Sequence, residues 1–347
     1  MITLFGREVG PGRRCLIVAE AGVNHNGDVG LALRLIAAAA DAGADVVKFQ
    51  TFRADRLVTA DAPKADYQLE TTDAGESQLG MLRRLELSAD DHRRLMDGCR
   101  RHGVGFLSTP SDAESANLLE ALGVEAYKIG SGDLTNLPLL RHVASKGRPV
   151  ILSTGMAGLE EVEAAVAAVG EVGNRRLALL HCVSNYPAAA ADANLRAMGA
   201  MASAFDVPVG YSDHTPGVDV ALAAVALGAC IVEKHFTLDR SLPGPDHRAS
   251  IEPDEFARLV TGIRTVESAL GDGVKRPAAR EAATAAAARR SLTAARDIPA
   301  GSVLTEEMIA IRRPGTGLPP SRLGDVVGRT AAEDIPAGTL LRREMLT

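Results

Sequence analysis

Short apolar runs rich in β-branched residues alternate along this chain with longer Ala- and Leu-rich segments whose apolar positions recur at helical spacing. The runs predict strands over 16–21 (LIVAEA), 45–51, 104–109, 126–131, 149–154, 177–184, 207–212 and 230–236. The intervening segments predict helices over 28–43, 88–102, 113–122, 136–146, 158–169, 192–204, 216–228 and 253–270. Eight strand–helix pairs in alternation imply parallel strands, because each connection must cross back over the sheet. Roughly 270 residues arranged this way match a closed (β/α)8 TIM barrel. An open doubly wound sheet is the competing arrangement, but no G-x-G-x-x-G follows the first strand.

The alternation stops after the last helix. An Ala-rich stretch, 278–288, leads into Arg289 and Arg290, and Gly/Pro turns dominate from there. The tail carries an internal repeat: the segment Asp297-Ile-Pro-Ala-Gly301 returns 37 residues on as Asp334-Ile-Pro-Ala-Gly338, and Glu307-Met308 returns as Glu344-Met345. Two units make a small pseudo-symmetric β-rich domain, since a solenoid needs about three or more. The expected organisation is a barrel domain over 1–272, a helical linker over 273–288 and a small domain over 289–347.

Bulk properties narrow the partners. A net charge of −6, no Trp and 3% aromatic residues argue against nucleic acid, which calls for a basic surface and stacking rings. The longest apolar run, Val220 to Val232, is shorter than the ~18 residues of a membrane span. No secretory leader pattern opens the chain, so a cytoplasmic setting without membrane contact is expected. Cys15, Cys99, Cys182 and Cys230 form no C-x-x-C pair and read as free buried thiols.

Barrels of this type do chemistry at the C-terminal ends of their strands, and all eight expected strands end in ionisable or hydroxyl groups. Glu20 closes the first; Lys48 and Gln50 lie on the second; Ser108 and Thr109 close the third. Lys128 and Ser131, Ser153 and Thr154, then His181, Ser184 and Tyr186 follow in turn. Ser212, Asp213 and His214 end the seventh, and Glu233, Lys234 and His235 the eighth, with Asp246 and His247 beyond. A single strand lysine or histidine is more often a rim or core residue; the joint pattern carries the reading. Two cations amid hydroxyls and glycine N–H groups suit a phosphate or carboxylate. His214 and His235 could share a divalent metal with open positions. Glu20 and Glu233 could manage protons.

The segments VAEAGVNHNGD, KFQTF, STPSD, KIGSGD, ILSTGMA, HCVSNYPA, GYSDHT and EKHFTLDR, with PGPDHRASIEP beyond, resemble those of the N-acetylneuraminate (sialic acid) synthases. The RRSL, DIPAG and RPGTGLPP segments resemble the antifreeze-like, or SAF, domain at the C-terminus of bacterial members. The resemblance implies a synthase that condenses phosphoenolpyruvate with an open-chain N-acylamino sugar to a nonulosonic acid. It implies that Lys48, Thr109, Lys128, Ser131, Ser153, Ser184 and Ser212 bind phosphoenolpyruvate, Ser184 standing where some members carry Asn. His214 and His235 are then ligands of Mn²⁺ or Mg²⁺. Glu20, Gln50, Tyr186, Glu233 and Asp246 face the sugar, and Arg313 reaches it from the tail of the partner in a domain-swapped homodimer.

The implied sugar is N-acetylmannosamine or a related 2,4-diacetamido-6-deoxy hexose. HCVSNYPA also resembles synthases of N,N′-diacetyllegionaminate and, less closely, pseudaminate. A Schiff-base aldolase using Lys48, Lys128 or Lys234 would leave the histidine pair unused. A non-catalytic carbohydrate-binding protein would not need cations, imidazoles and carboxylates around a whole rim. Which glutamate acts as acid or base stays open at this level.

Overall fold

An antiparallel hairpin opens the chain, β1 (Ile2–Leu4) paired with β2 (Arg7–Val9). Its strands are 3 residues each, too short for an alternation to register in the sequence. The computed structural model describes residues 1–73 and 75–347, less the side chains of Asp66, Tyr67 and Glu70. These residues form two units, Met1–Gly271 and Asp272–Thr347.

The first unit holds the eight expected strands: β3 (Leu16–Gly22), β4 (Val46–Thr51), β5 (Gly105–Pro110), β6 (Tyr127–Ile129), β7 (Val150–Ser153), β8 (Leu177–Cys182), β9 (Val209–Asp213) and β10 (Ile231–His235). Hydrogen bonds link them in the order β5-β4-β3-β10-β9-β8-β7-β6, and the pairs are parallel. β5 and β6, the ends of that order, run side by side, so the barrel is nearly closed. The expected helices lie between the strands within a few residues of their predicted ends. Local signals set those ends: Ser88 Oγ accepts from the Asp91 N–H at 3.1 Å to start the helix Ala89–His102, and Gly103, at φ 70°, stops it.

The strand pleat sorts side chains between two cores. Outward residues such as Ile17, Val47, Tyr127 and Leu179 pack against the helices. Inward residues Leu16, Val18, Val46, Leu107, Ile151, Leu180 and Ile231 fill the barrel, and Ile2, Leu4 and Val9 of the hairpin join them as a plug. Truncating one of these, Leu107→Ala for example, should cost ~2–5 kcal/mol. The apolar filling stops at the C-terminal end, where the inward positions turn polar.

Between β4 and the helix Ala89–His102 the sequence offered no element, yet short helices stand there, Ala54–Leu57, Asp66–Thr71 and Gln78–Arg83. Met81, Leu85 and the partly buried Leu82 pack with Val23 and Phe52 into a small apolar cluster of their own.

The second unit begins with the helix Ala282–Ala288 and pairs β11 (Ser291–Ala294) with β12 (Ile309–Arg312) antiparallel. The 37-residue repeat appears as reciprocal bonding. Ile298 N donates to Ile335 O at 2.9 Å and Ile335 N to Ile298 O at 2.8 Å. Asp297 accepts from Ala337 N and Asp334 from Ala300 N, each at 2.7 Å. The related pairs Ala294/Ala331 and Leu304/Leu341 fill its core. The Ala-rich stretch read as a linker belongs to this unit, where Gly315 N donates to Ala286 O at 2.7 Å.

Candidate active site

Seven strands place polar side chains at successive inward positions of the barrel's C-terminal end: Glu20, Lys48 and Gln50, Thr109, Lys128, Ser153, Ser212, then Glu233 and His235. Ser131, Ser184, Tyr186, His214 and Asp246 arrive from the loops that follow. All of them line one cavity of about 390 Å³. Arg313, also expected at the site, stands in the second unit, exposed on the loop after β12.

The pleat removes other candidates. Ser108, His181, Asp213 and Lys234 occupy outward positions. Ser108 bonds Thr51 at 2.7 Å, and His181 Nε2 bonds Ala193 O at 2.7 Å. Lys234 Nζ meets Asp213 Oδ2 at 2.6 Å and donates to Thr215 O at 2.7 Å. Lys234 is therefore a structural cation and no Schiff-base lysine of this cavity.

Inside the cavity the charges are almost wholly buried. Lys48 Nζ lies 2.6 Å from Glu20 Oε2 and 3.7 Å from Glu233 Oε1, and Lys128 Nζ lies 3.7 Å from the same Glu233 oxygen. Lys128 also donates to Ser153 Oγ at 2.6 Å, and Lys48 to Thr109 Oγ1 at 3.3 Å. Burial raises the Glu20 pKa to about 7, with Lys48 opposing and Glu233 adding to the rise. Burial also works against ionisation of Glu233, but Lys128 and Lys48, with His214 and Ser212, hold its pKa below the usual value. Two carboxylates one strand apart are thus driven in opposite directions, the arrangement that separates an acid from a base. Burial opposes the Lys48 charge as well; Glu20 and Glu233 outweigh it and raise the pKa. Burial lowers that of Lys128.

His214 Nδ1 lies 2.6 Å from Val183 O. A carbonyl only accepts, so that nitrogen carries the proton and Nε2 keeps its lone pair. The two imidazole centroids are 5.4 Å apart, and the Tyr186 ring packs 4.2 Å from that of His214. Burial lowers the pKa of both histidines, that of His235 well below normal with His214 and the lysines adding to the effect. His235 Nδ1 and Glu233 Oε2 are buried without a hydrogen-bond partner. Two neutral imidazoles, one with an orphaned nitrogen, fit a divalent cation that keeps open positions. Among the described residues, no group of three or more His, Cys, Asp or Glu forms a closed metal cage.

A family model described as the NeuB family matches residues 35–275, and one described as the SAF domain matches residues 289–347. The chain belongs to the NeuB family. It is 49% identical over 323 residues to an N,N′-diacetyllegionaminic acid synthase of Legionella pneumophila, covering 92% of this chain and 91% of that one. It is 47% identical over 319 residues to the Campylobacter jejuni protein of the same name, covering 91% and 96%. Among solved structures it matches an N-acetylneuraminic acid synthetase from Leptospira borgpetersenii, with TM-score 0.72 and 38% identity, over 82% of this chain and 94% of that one. The resemblance read from the motifs therefore stands, as do the barrel and the SAF domain. At the level of the family, so does the synthase activity.

Sequence reasoning missed one wall of the cavity, formed by Val23, Met81, Leu82 and Leu85. No periodicity marks it, because three of the four come from the loop segment after β4. It also missed Gly155, where a Cβ would lie 2.3 Å from Ser184 Oγ, 2.8 Å from Cys182 Sγ and 2.9 Å from Ser131 Oγ. Gly155 N instead donates to Ser131 Oγ at 3.0 Å. The absent side chain lets Ser131, Cys182 and Ser184 close in on the Gly155 backbone at the ends of β7, β8 and the β6 loop.

Proposed function

We propose that this NeuB-family enzyme joins phosphoenolpyruvate to the aldehyde carbon of an open-chain 2,4-diacetamido-6-deoxy hexose, giving N,N′-diacetyllegionaminate and inorganic phosphate. The observation that carries the reading is the cavity's mixed lining. Lys48 and Lys128 with five hydroxyls line it, as a substrate bearing a phosphate and a carboxylate requires. Val23, Met81, Leu82 and Leu85 line it as well, and they suit the methyl groups of a deoxy, diacylated sugar better than added hydroxyls. The two synthases of Legionella and Campylobacter named above support the same sugar.

In this reading the lysines and Thr109, Ser131, Ser153, Ser184 and Ser212 hold phosphoenolpyruvate. Gln50, Tyr186 and Asp246 orient the sugar. His214 and His235 hold the divalent ion, Mn²⁺ or Mg²⁺, and the chemistry it supplies when bound is Lewis-acid polarisation of the aldehyde. The enol carbon forms the new C–C bond, and Glu20, whose pKa lies near neutrality, gives its proton to the former aldehyde oxygen. Positive charge then rests on the enol-ether carbon. Water adds there as ionised Glu233 takes its proton; the C–O bond then breaks with phosphate leaving on the electron pair, and the new hydroxyl gives its proton to that phosphate as it becomes the keto oxygen. The partner subunit's Arg313 completes the sugar site in a domain-swapped cytoplasmic homodimer.

A panel assay tests the substrate. Phosphate release from phosphoenolpyruvate should be fastest with the diacetamido deoxy sugar, slower with N-acetylmannosamine and absent without a sugar. A clear preference for N-acetylmannosamine would overturn the sugar assignment. Mixing refolded His214→Ala and Arg313→Ala chains tests the dimer. Activity well above either parent supports action in trans, and none in proven mixed dimers refutes it.

A further inference from the structure

Of the four cysteines, three are packed into cores. Burial raises the thiol pKa of Cys99 and Cys230 to about 12, and that of Cys15 upward as well. Cys182 differs. It is the last residue of β8, pairs in register with Ser212, and points inward by the same pleat that aims Lys128 and Glu233. Its sulfur lines the cavity and lies 3.1 Å from Ser131 Oγ.

The surroundings give the thiol a position in the site. Ser131 Oγ accepts from Gly155 N at 3.0 Å and also hydrogen-bonds the Cys182 sulfur at 3.1 Å. Ser131, Cys182 and Ser184 converge on the space that a Gly155 side chain would fill. The same cavity holds Lys128 and the unpartnered Oε2 of Glu233, a residue 4% exposed. A cation and an orphaned buried acceptor mark the cavity as built to be occupied.

We propose that Cys182 is a further residue of the anion subsite, orienting the Ser131 hydroxyl toward the bound phosphate, and that modification of its sulfur closes the subsite reversibly. This rests on the phosphoenolpyruvate reading above. The reaction needs a small thiol-reactive electrophile of the thiosulfonate or disulfide class. The Cys182 thiolate attacks the electrophile's divalent sulfur, a new S–S bond forms, and the sulfinate or thiolate leaves with the electron pair of the broken bond. A dithiol reverses it by the same exchange. The space beside Gly155 is already filled by Ser131, Ser184 and the sulfur itself, so the attached group extends into the cavity that Cys182 lines, where no phosphate can enter beside it.

The test uses the full-length enzyme and methyl methanethiosulfonate. Peptide mapping should find Cys182 modified ahead of the other three cysteines, with activity lost in proportion and restored by dithiothreitol. Phosphoenolpyruvate should slow both. Whatever rate Cys182→Ser retains should not fall on treatment. Cys182→Val, checked for an unchanged melting temperature, should raise the KM for phosphoenolpyruvate about tenfold and change kcat much less, the signature of lost ground-state binding. Activity that survives full modification of Cys182, or modification that phosphoenolpyruvate and inorganic phosphate both leave unslowed, overturns the proposal. Should the serine or valine variant fail to fold, mapping of the unmodified sequence decides alone. Protection by inorganic phosphate in a protein that never consumes phosphoenolpyruvate would keep the subsite and refute only the substrate.

Discussion

Two lysine–carboxylate clusters meet on β10 of this barrel, one facing in and one facing out, and both are buried. Outside, Lys234 and Asp213 are 2% and 1% exposed, and each is satisfied. Lys234 donates to Asp213 Oδ2 and Thr215 O, while Asp213 Oδ1 accepts from the Thr215 N–H at 2.9 Å and its hydroxyl at 2.7 Å. Inside, Lys48, Lys128, Glu20 and Glu233 are as deeply buried, yet Glu233 shares one oxygen between two lysines at 3.7 Å and leaves the other unbonded. A satisfied buried pair holds structure together. An incompletely satisfied one holds charge in readiness for a ligand, which completes it. One residue of strand separates the two outcomes.

Breaking the inner cluster should give the largest effect. Lys128→Met or Lys48→Met should lower turnover about a thousandfold, as loss of a charge aimed at the reacting groups does. For Lys128→Met the melting temperature should hold or rise, because burial outweighs the stabilisation of that charge, whereas Lys48→Met should lower it, since Glu20 2.6 Å away loses its cation. Equal losses of turnover and stability in denaturation and steady-state assays would erase the contrast.

The outer pair should respond the other way. Lys234→Met leaves Asp213 buried and unpaired, a loss of ~3–5 kcal/mol in chemical denaturation. The turnover of the folded fraction should stay within about threefold of normal, since no reacting atom is touched. Replacing both partners, as Lys234→Met with Asp213→Leu, should recover most of that loss, to within about 1–2 kcal/mol of the parent.

A smaller effect separates the two glutamates. Glu20 has its pKa raised from 4.5 to about 7 by burial, so between those values the folded state binds more protons than the unfolded one. Stability from this group is therefore full below pH 4.5 and declines as pH rises through about 7. Relative to Glu20→Gln, the parent should lose stability over that window and not above it. A difference that grows with pH would reverse the assignment of Glu20 as the proton carrier.

Much of this was legible before any coordinates. The eight strands follow from short β-branched apolar runs and the helices from a 3.6-residue repeat over longer segments, length and composition telling the two apart. The site residues followed because polar groups at strand ends stand out against apolar runs. What one-dimensional reading blurred was direction. Ser108 next to Thr109, Asp213 next to Ser212 and Lys234 next to Glu233 look alike in a list of polar residues, and only the pleat tells them apart. The apolar wall of Met81, Leu82 and Leu85 was hidden differently: Met81 and Leu82 lie in a helix of 6 residues and Leu85 just beyond it, and their role is set by tertiary packing. Gly155 has no side chain to flag it, and its role shows only in three dimensions, where Ser131, Cys182 and Ser184 close in on its backbone.

The central claim is that the inward cluster brings water to the enol-ether carbon of phosphoenolpyruvate and expels phosphate by C–O cleavage. Turnover in heavy-oxygen water measures this most directly, with the label located by mass spectrometry in both products. The account predicts label in the anomeric hydroxyl of the sugar acid and none in the released phosphate. Label in the phosphate would mean attack at phosphorus and would contradict it.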